Sequence, residues 1–318
     1  MPNGKPPAAM NRFISCDWGT SRLRLRLVGG EPLRIIAEHS TDEGVQTLAA
    51  LEADGEERRK LLGAVLERGL AALGVSSELD LPVVMSGMAS STLGWQSLPY
   101  ARLPAPINGS TLRYVDFLHG GRKVRLVSGL QAASDVMRGE ETELIGIFAT
   151  SSRRPLAEEC IVLLPGSHSK HVQLRAGQVV GFTTYLTGEL YGLLCQNSTL
   201  EIPDDATFDP AAFVAGVRAS KTHGLSAALF QTRARAVLGQ LAAKHTRAFL
   251  SGVLIGAEID ALTKAPPAHI VLAAGEALAS QYALALHEIL PAAAIMQIPP
   301  ADLAAATVAG HARILSYP

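Results

Sequence analysis

The sequence predicts an α/β protein of two domains, and three observations support this fold class. Strand patterns and helix patterns alternate along the chain, which is typical of α/β proteins. The length of 318 residues suffices for two domains with substantial cores. A strand, a glycine and a hydroxyl residue follow one another twice, at 16–21 and again at 160–167. This repetition, about half a chain apart, indicates two duplicated halves.

The composition excludes several classes of protein. The 28 basic and 29 acidic side chains nearly balance, so there is no electrostatic reason to expect binding to nucleic acid or to an anionic membrane. No apolar run is long enough to span a bilayer. Residues 1–12 are polar and lack the apolar core of a signal peptide, which predicts a short disordered lead-in.

The number and spacing of the cysteines indicate the cellular compartment. Cys16, Cys160 and Cys195 are odd in number and widely spaced. Such a set matches neither a disulfide framework nor a zinc site. We therefore expect a soluble cytoplasmic protein.

The first half of the chain begins with a predicted hairpin. Leucine and arginine alternate from Leu23 to Leu27, which is the period of a half-buried strand. Apolar spacing over the later segments predicts further strands and amphipathic helices. The predicted elements are strands at 13–28, 33–39, 82–85 and 123–130, and helices at 56–73 and 139–150.

A polar segment with a proline, residues 151–159, predicts the boundary between a domain spanning 13–152 and a second domain spanning 153–318. Beyond it, an alternating pattern predicts a second hairpin over 160–182, with Ala176 and Gly177 near its tip. The remaining predicted elements are helices at 187–197, 208–219, 224–264 with breaks and 276–290, and a strand at 269–275.

The two strand–glycine–hydroxyl corners are candidate phosphate sites. They comprise Gly19, Thr20 and Ser21 in the first corner, and Gly166 and Ser167 in the second. Glycine allows close approach of the backbone, and turn N–H groups with hydroxyls form an anion-binding concavity. Two facing corners could hold a polyphosphate from both sides, and Asp17 could hold its Mg²⁺ directly or through water. Two ordinary hairpin turns are the alternative interpretation.

Eight motifs carry a resemblance to known proteins. Three of them resemble the phosphate-1, phosphate-2 and adenosine motifs of the superfamily of actin, heat-shock chaperones and sugar kinases: DWGTSRLRLRL, PGSHSKHVQL and VLAAGEALA. Five narrower motifs, in this order, closely resemble those of the 2-dehydro-3-deoxygalactonokinases: VVMSGMASSTLGW, VMRGEETELIG, LPGSHSKHV, TGEL and LSGVLIGAE. The resemblance covers nearly everything from Phe13 to the last residue.

The resemblance implies a fold, an activity and cofactors. The fold would be two RNase H-like (actin-like ATPase) domains with mixed sheets and an active site in the cleft between them. The activity would be phosphorylation of the 6-hydroxyl of 2-dehydro-3-deoxygalactonate by ATP with Mg²⁺, in galactonate catabolism. The expected partners are a small sugar acid and ATP, with no nucleic acid and no membrane, and a homodimer is left open.

Phosphoryl transfer needs an acceptor for the proton of the substrate hydroxyl. Gly139 and Glu140 open a predicted helix where related glycerol-type kinases carry Gly-Asp as the base, so the resemblance implies a catalytic acid here. A carboxylate at a helix N-terminus is held ionised by the helix dipole. Glu140, Glu141 and Asp135 all remain candidates for the base at this stage. A first-turn charge pair without catalytic role is the alternative for the two glutamates.

Substrate contacts are predicted around this helix and in the second corner. Arg138 could bind the carboxylate of the sugar acid through two parallel hydrogen bonds, although it could also be an ordinary surface arginine. His168 could contact substrate or phosphate, and Lys170 could offset charge at the γ-phosphate. The candidate walls of the sugar site are Met88, Trp95 and Tyr100, with Gly44 as a weaker candidate. Trp95 taken alone is more often a core residue.

The adenine site is predicted at the last strand–helix junction. Gly275 would let a flat base lie against the backbone, and Glu276 opens the helix that follows. A generic strand-to-helix turn is the alternative here.

Two other functions remain open from the sequence. One is a kinase for another sugar acid or for a neutral sugar, which would have no need of Arg138 facing its substrate. The other is a nucleotide-binding regulator of the same superfamily that has no catalytic activity. The retained acids Glu140 and Glu141 argue against the regulator.

Overall fold

Strands and helices alternate through the computed structural model and confirm the α/β class predicted from the sequence. The structure describes residues 12–150, 152–203 and 207–318. The predicted lead-in at 1–12 lies outside these residues except for Arg12, which opens the first strand. No helix in the described ranges is long and apolar enough to cross a membrane.

The described chain divides into two compact units. Unit 1 runs to Glu158 and also contains Arg175–Gly181 and Ala301–Pro318. Unit 2 contains Glu159–Leu174 and Phe182–Pro300. The division after Glu158 falls within the polar, proline-containing segment, whereas the C-terminal residues group with unit 1 and not with the second half of the chain.

Unit 1 contains the first hairpin and most of the short strands. Its strands are β1 (Arg12–Trp18), β2 (Leu23–Gly29), β3 (Arg34–Thr41), β4 (Val83–Gly87), β5 (Ala101–Arg102), β6 (Ala105–Pro106), β7 (Tyr114–His119), β8 (Arg122–Val127), β9 (Leu130–Gln131) and β10 (Val136–Met137). Its helices up to the boundary are α1 (Val45–Leu51), α2 (Gly55–Ala72) and α3 (Glu140–Ile147), with 3₁₀ turns at Met88–Ser90 and Arg154–Glu158. The sequence did not predict α1, β7 or the two-residue strands.

The later elements lie wholly or partly in unit 2. The strands are β11 (Glu159–Leu164), β12 (Ser169–Arg175), β13 (Gln178–Tyr185), β14 (His269–Leu272) and β15 (Ala294–Gln297). The helices are α4 (Thr187–Gln196), α5 (Pro210–His223), α6 (Leu225–Val237), α7 (Thr246–Asp260) and α8 (Glu276–Ile289), with 3₁₀ turns at Ala243–His245 and Ala261–Lys264. Helix α9 (Pro300–Leu315) follows, and nearly all of it belongs to unit 1. Neither β15 nor α9 was predicted.

The main sheet of unit 1 is mixed, with strand order β3-β2-β1-β4-β8-β7. The first three strands are antiparallel, and β4 lies parallel to both β1 and β8. Leu23, Leu25 and Leu27 of β2 are buried in the core, as the alternation predicted. Arg26 between them is also buried, because its guanidinium is paired with Glu38 of β3 at 2.6 Å.

The sheet of unit 2 has the order β15-β14-β11-β12-β13, and β14 pairs in parallel with both β11 and β15. Ile270, Val271 and Leu272 of β14 are fully buried, which is the pattern of a parallel strand covered on both faces. The β12–β13 hairpin turns at Ala176 and Gly177, both at positive φ, as the sequence predicted.

Helix starts are encoded by local residues. Asp54 accepts hydrogen bonds from the N–H groups of Glu56 and Glu57 at 2.8 and 2.9 Å, which caps α2. Asp209 accepts from the N–H of Ala212 at 2.6 Å, and Pro210 follows it as the first residue of α5.

Helix α9 is held against unit 1 by a buried histidine. The ring nitrogens of His311 hydrogen-bond with Ser15 Oγ at 2.8 Å and with Ser86 Oγ at 3.0 Å. Burial, and then the charge of Arg26, lower the pKa of His311 to about 3, so the ring is neutral. The histidine thus joins α9 to two adjacent parallel strands, β1 and β4.

Glycines allow α9 to lie in direct backbone contact with α3. A methyl group added at Gly146 would overlap the carbonyl oxygen of Ala306, and one at Gly310 would overlap that of Thr142. Because these atoms belong to the backbone, a side chain could be accommodated only by moving a helix.

We expect Gly146→Ala to lower the free energy of unfolding by about 1–3 kcal/mol, the usual cost of overpacking. The control is Gly55→Ala in α2, where the nearest atoms to an added methyl are the ends of two arginine side chains at 3.9 Å. Urea unfolding of both variants is the measurement. Equal stability of the two variants would contradict the close packing of α9 on α3.

Candidate functional site

The first candidate phosphate corner is braced by the start of α1. Gly19 N–H donates to the carbonyl of Arg22 at 2.9 Å, which closes the turn between β1 and β2. The N–H groups of Val45 and Gln46 donate to the carbonyls of Gly19 and Thr20, both at 3.0 Å. The corner is therefore fixed by backbone hydrogen bonds from a second element.

Gly44 lies directly beneath this corner. A methyl group added there would overlap the backbone of Thr20 and Ser21. Gly44 was predicted to bind substrate, but the contact observed in the structure is with the backbone of the first corner. Thr20 is half-buried and Ser21 is exposed above it.

Asp17 lies at the end of β1, between charged and polar neighbours. Its Oδ2 is 3.6 Å from Arg24 Nη1 on β2, and its partner on β4 is Ser86. Burial raises the pKa of Asp17, Arg24 and Arg26 oppose this shift, and the charge of Glu140 adds to it. Two predicted site residues from distant parts of the sequence, Asp17 and Glu140, are thus brought within electrostatic reach.

Two glycines with positive φ allow the elements that bear Asp17 and Glu140 to approach each other. Gly87 ends β4 at φ 88°, and a methyl added to it would lie 2.6 Å from the carbonyl oxygen of Trp18. Gly139 precedes α3 at φ 112°, and a methyl group added to it would lie 3.5 Å from Gly87 Cα. Residues with side chains rarely adopt this backbone conformation. The start of α3 therefore lies against the end of β4, which in turn lies against the end of β1.

The neighbouring glutamates of α3 have different surroundings. Glu141 is 2% exposed, and its carboxylate accepts the N–H of Gly139 at 2.8 and 2.9 Å. It lines a small cavity with Leu130 and Leu144. Glu140 is half-buried, and its Oε2 accepts the N–H of Arg138 at 3.0 Å.

Glu143 is a member of this acidic group that the sequence analysis missed. It lies three residues after Glu140, so both point to the same side of α3. Burial first, and then the charges of Asp17 and Glu140, raise the pKa of Glu143 to about 8, against the opposing effect of Arg24 and Arg26. The spacing of the two glutamates on one helix is a signal that could have identified it.

Asp135, the third candidate base, lies in the turn between β9 and β10. Its Oδ1 accepts the N–H of Val136 at 2.7 Å, and its carbonyl accepts the N–H of Ala132. These contacts are those of a turn residue.

Arg138 and Tyr100, both predicted to contact substrate, are brought together. The guanidinium lies 4.2 Å from the centre of the Tyr100 ring, in a cation–π contact. Arg138 Nη1 also donates to the hydroxyl of Ser90 at 2.6 Å and to the carbonyl of the same residue. Its Nε is buried with no hydrogen-bond partner among the described residues. These contacts hold the Arg138 side chain in place, and its Nε is a hydrogen-bond donor without a partner among the described residues.

Met88 and Trp95 are placed against the core of unit 1. The Trp95 ring contacts Trp18, Phe117 and His119, with centroid distances of 6.3, 5.5 and 4.9 Å. These contacts favour the core interpretation of Trp95 that its residue type suggested.

In unit 2, the second candidate phosphate corner is open where a ligand would need space. Gly166, Ser167 and His168 are exposed, and a methyl added at Gly166 would meet no atom within 4 Å. His168 Nε2 lies 2.5 Å from Glu189 Oε2. The Lys170 side chain is buried, and its Nζ donates to the carbonyl of His168 at 2.9 Å.

The candidate adenine corner of unit 2 is also exposed and has space around its glycine. Gly275 caps α8, its carbonyl accepts the N–H of Ala279 at 2.8 Å, and an added methyl would meet no atom within 4 Å. Glu276 is exposed in the first turn of the helix. The neighbouring Ala273 and Ala274 are buried and small.

A resident metal site built from protein ligands alone is not found within the described ranges, where no three His, Cys, Asp or Glu residues are grouped to hold an ion. A kinase magnesium site needs only one or two carboxylates besides phosphate oxygens. Asp17 fits that role, because it lies within electrostatic reach of Glu140 and a divalent cation would offset the charge of the two carboxylates.

Glu141 makes the stability of the protein depend on pH. Burial first, and then the charge of Glu140, raise the pKa of Glu141 from an ordinary 4.5 to about 8. The folded state therefore holds this proton more tightly than the unfolded state, and the resulting stabilisation is lost as the pH rises through about 8.

We expect the free energy of unfolding to fall between pH 6 and about 9, and Glu141→Gln to make that fall smaller. Glu143 contributes in the same direction, so some dependence remains. The control is Glu56→Gln, an exposed glutamate of α2, which should keep the full dependence. Urea unfolding across this pH range is the measurement, and an undiminished fall in Glu141→Gln would count against burial of an ionisable carboxyl.

Comparison with known proteins identifies relatives over most of the chain. A family model described as 2-keto-3-deoxy-galactonokinase matches residues 17–314. The 2-dehydro-3-deoxygalactonokinase of Escherichia coli (strain K12) is 34% identical over 283 residues, which cover 85% of this chain and 88% of the relative. A Rhizobium meliloti (strain 1021) protein, provisionally named 2-dehydro-3-deoxygalactonokinase DgoK1, is 35% identical over 257 residues, covering 78% of this chain and 79% of that protein.

Solved structures agree with this assignment. A protein from Sinorhizobium meliloti, provisionally named as a 2-dehydro-3-deoxygalactonokinase, superposes with a TM-score of 0.79 at 30% identity, covering 95% of this chain and 99% of its own. The activator of the 2-hydroxyisocaproyl-CoA dehydratase from Clostridium difficile has a TM-score of 0.51 at 13% identity, covering 96% and 95%, which shows a shared fold alone. These likenesses support the predicted actin-like ATPase fold class. By the family model and the identity to its relatives, this chain belongs to the 2-keto-3-deoxy-galactonokinase family.

Proposed function

We propose that this protein transfers the γ-phosphoryl group of ATP to the 6-hydroxyl of 2-dehydro-3-deoxygalactonate, giving ADP and the 6-phosphate. Family membership supports the reaction class and the substrate. The observation in this structure that carries the proposal is the placement of Glu140 within electrostatic reach of Asp17, beside the first glycine corner. A phosphate site and a proton acceptor are what such a transfer requires.

Asp17 and the first corner serve the phosphate end of the reaction in this proposal. The N–H groups and hydroxyls of Thr20 and Ser21 would bind phosphate oxygens, and Gly19 would allow close approach. Asp17 would hold Mg²⁺ directly or through water, and the ion would neutralise phosphate charge when bound. Arg24, close to Asp17, keeps part of its negative charge offset.

Glu140 is the proposed general base. It is half-buried in the first turn of α3, its Oε2 accepts the N–H of Arg138, and it lies within electrostatic reach of Asp17. Glu141 is buried on the Gly139 N–H, and Asp135 bonds to its own turn. Of the three acids, Glu140 is the one within electrostatic reach of Asp17 that is also only half-buried, which supports it as the acceptor of the sugar hydroxyl proton.

Arg138 is proposed to bind the carboxylate of the sugar acid. Its guanidinium is held by Ser90 and stacked on Tyr100, so little conformational freedom remains to be lost on binding. The buried Nε without a partner is a donor that a carboxylate could accept. A kinase for a neutral sugar has no use for a cation fixed in this way, which favours an acidic substrate. Met88 is proposed to line the sugar site, whereas the contacts of Trp95 are those of a core residue.

In unit 2, we assign the remaining nucleotide contacts to the two open glycine corners. Gly166 and Ser167 would bind phosphate oxygens through backbone N–H and hydroxyl groups, with Lys170 supplying positive charge beneath the corner. His168 is proposed to contact the γ-phosphate or the substrate. Gly275 would receive the adenine ring, since an added methyl there meets no atom of the described residues within 4 Å, and Glu276 would lie beside it.

A substrate panel tests the function. With ATP and Mg²⁺, we expect ADP formation on 2-dehydro-3-deoxygalactonate to exceed that on glycerol or glucose by at least a hundredfold in kcat/KM. Arg138→Met should raise the KM for the sugar acid roughly tenfold or more, because one charged hydrogen bond is worth about 1.5–3 kcal/mol. Faster turnover of a neutral sugar by the unmodified protein would overturn the proposal.

The base assignment is tested by three matched amide variants. Glu140→Gln should lower kcat by about 10²–10⁴, the usual contribution of a positioned general base. Glu141→Gln and Asp135→Asn should each retain more than about a tenth of the turnover, because an amide oxygen can still accept the backbone N–H that each carboxylate accepts. If either of these variants lost more activity than Glu140→Gln, the base would have to be reassigned.

A further inference from the structure

Unit 2 contains a fully buried carboxylate that the proposed reaction does not use. The side chain of Glu258, near the end of α7, is 1% exposed. It accepts hydrogen bonds from His171 Nε2 at 2.9 Å, from Tyr282 Oη at 2.7 Å and from the hydroxyl of Thr187. One carboxylate therefore joins three side chains that are far apart in the sequence.

Two of these partners reach the candidate phosphate corner. Thr187 opens α4, and the next residue, Gly188, lies so close to the corner that a methyl on it would meet the carbonyl oxygen of Gly166 at 2.5 Å. Glu189 N–H also donates to the carbonyl of Ser167 at 3.0 Å. The first turn of α4 thus supports the corner from one side.

The strand after the corner is tied to the same carboxylate. His171 lies on β12, two residues after Ser169. The Ser169 hydroxyl hydrogen-bonds with that of Tyr282 at 2.8 Å and accepts the N–H of Gly166 at 3.4 Å. A chain of hydrogen bonds therefore runs from Glu258 through Tyr282 and Ser169 to the backbone of Gly166.

The third partner belongs to the helix of the candidate adenine corner. Tyr282 lies on α8, which begins directly after Gly275. Burial, and then the charge of Glu258, raise the pKa of Tyr282, so its hydroxyl stays protonated and remains a donor to the carboxylate. The helix that presents Gly275 is thereby fixed to the same point as the phosphate corner.

Stability alone does not account for a buried carboxylate network of this kind. Burying a carboxylate carries a desolvation penalty that its hydrogen bonds must offset, and apolar residues of similar volume often stabilise a protein equally well. The network also leaves His171 Nδ1 buried, with no hydrogen-bond partner in the part of the chain that the structure describes. A carboxylate that accepts three hydrogen bonds does, however, fix the elements that bear the three donors in one defined arrangement.

We propose that Glu258 is a positioning residue for the nucleotide, which sets the phosphate corner at 166–167 and the adenine corner at 275–276 in the geometry that binds ATP. The inference rests on the proposed assignment of these corners to ATP. It adds that nucleotide affinity, and not sugar-acid affinity, depends on a carboxylate that touches no ligand. Thr187 and Glu258 come from the motifs TGEL and LSGVLIGAE, to which the proposed reaction assigns no residue.

The test compares Glu258→Gln and Tyr282→Phe with a buried control. Glu258→Gln keeps the volume and removes the charge, and Tyr282→Phe removes the hydroxyl that joins Glu258 to Ser169. The control is Ser220→Ala, which removes a buried hydrogen bond of α5 to the carbonyl of Val217. Calorimetric Kd for ADP, KM for ATP and for the sugar acid, and the melting temperature are measured for each.

We expect both network variants to raise the Kd for ADP and the KM for ATP at least fivefold, with the KM for the sugar acid within twofold of the original. Ser220→Ala should change only the melting temperature. A lower melting temperature with unchanged ADP affinity in the variants, or an equal rise in both KM values, would overturn the inference. Should Glu258→Gln fail to fold, Tyr282→Phe alone decides between these outcomes.

The ADP measurement separates this inference from the proposed function. An unmodified protein that binds ADP but does not phosphorylate the sugar acid would refute the proposed function and leave the Glu258 comparison readable. An unmodified protein that binds no ADP would overturn the positioning role, because the corners would then not be nucleotide sites.

Discussion

Close backbone contact at Gly87 is the constraint on which the candidate active site of unit 1 depends. A methyl group at Gly87 would lie 2.6 Å from the carbonyl oxygen of Trp18, and one at Gly139 would lie 3.5 Å from Gly87 Cα. Because of this contact, the end of β1 and the start of α3 approach closely, and Asp17 comes within electrostatic reach of Glu140. A side chain at Gly87 would overlap the backbone of Trp18, the residue directly after Asp17.

The charges around Asp17 follow from the same approach. Asp17 and Glu140 act electrostatically on each other's surroundings and on Glu143, and Arg24 and Arg26 oppose their effect from the neighbouring strand. Proteins tolerate such repulsion mainly at functional sites, where a cation or a substrate completes the balance. The buried Glu141 is a separate case, since its carboxyl caps the backbone at the start of α3.

The two units stabilise their candidate sites by different means. In unit 1, close backbone contacts at glycines and backbone hydrogen bonds place the first corner and the start of α3. In unit 2, the glycines of the corners are open, and a buried side-chain network centred on Glu258 holds the elements that bear them. Backbone contact resists movement because it leaves no space, whereas a hydrogen-bond network selects one arrangement by the cost of leaving a buried partner unpaired.

The sequence by itself determined the fold class, the strand–glycine–hydroxyl corners, the β12–β13 turn and the helix starts, because strand period, turn residues and caps are local. It also pointed to Asp17, Glu140 and Arg138 through motifs. Only the tertiary structure placed Gly44 beneath the first corner and joined Glu258 to Thr187, His171 and Tyr282. It also revealed α9, whose glycine contacts and buried His311 concern residues distant in sequence. Those features depend on which elements pack together, and no local pattern encodes that.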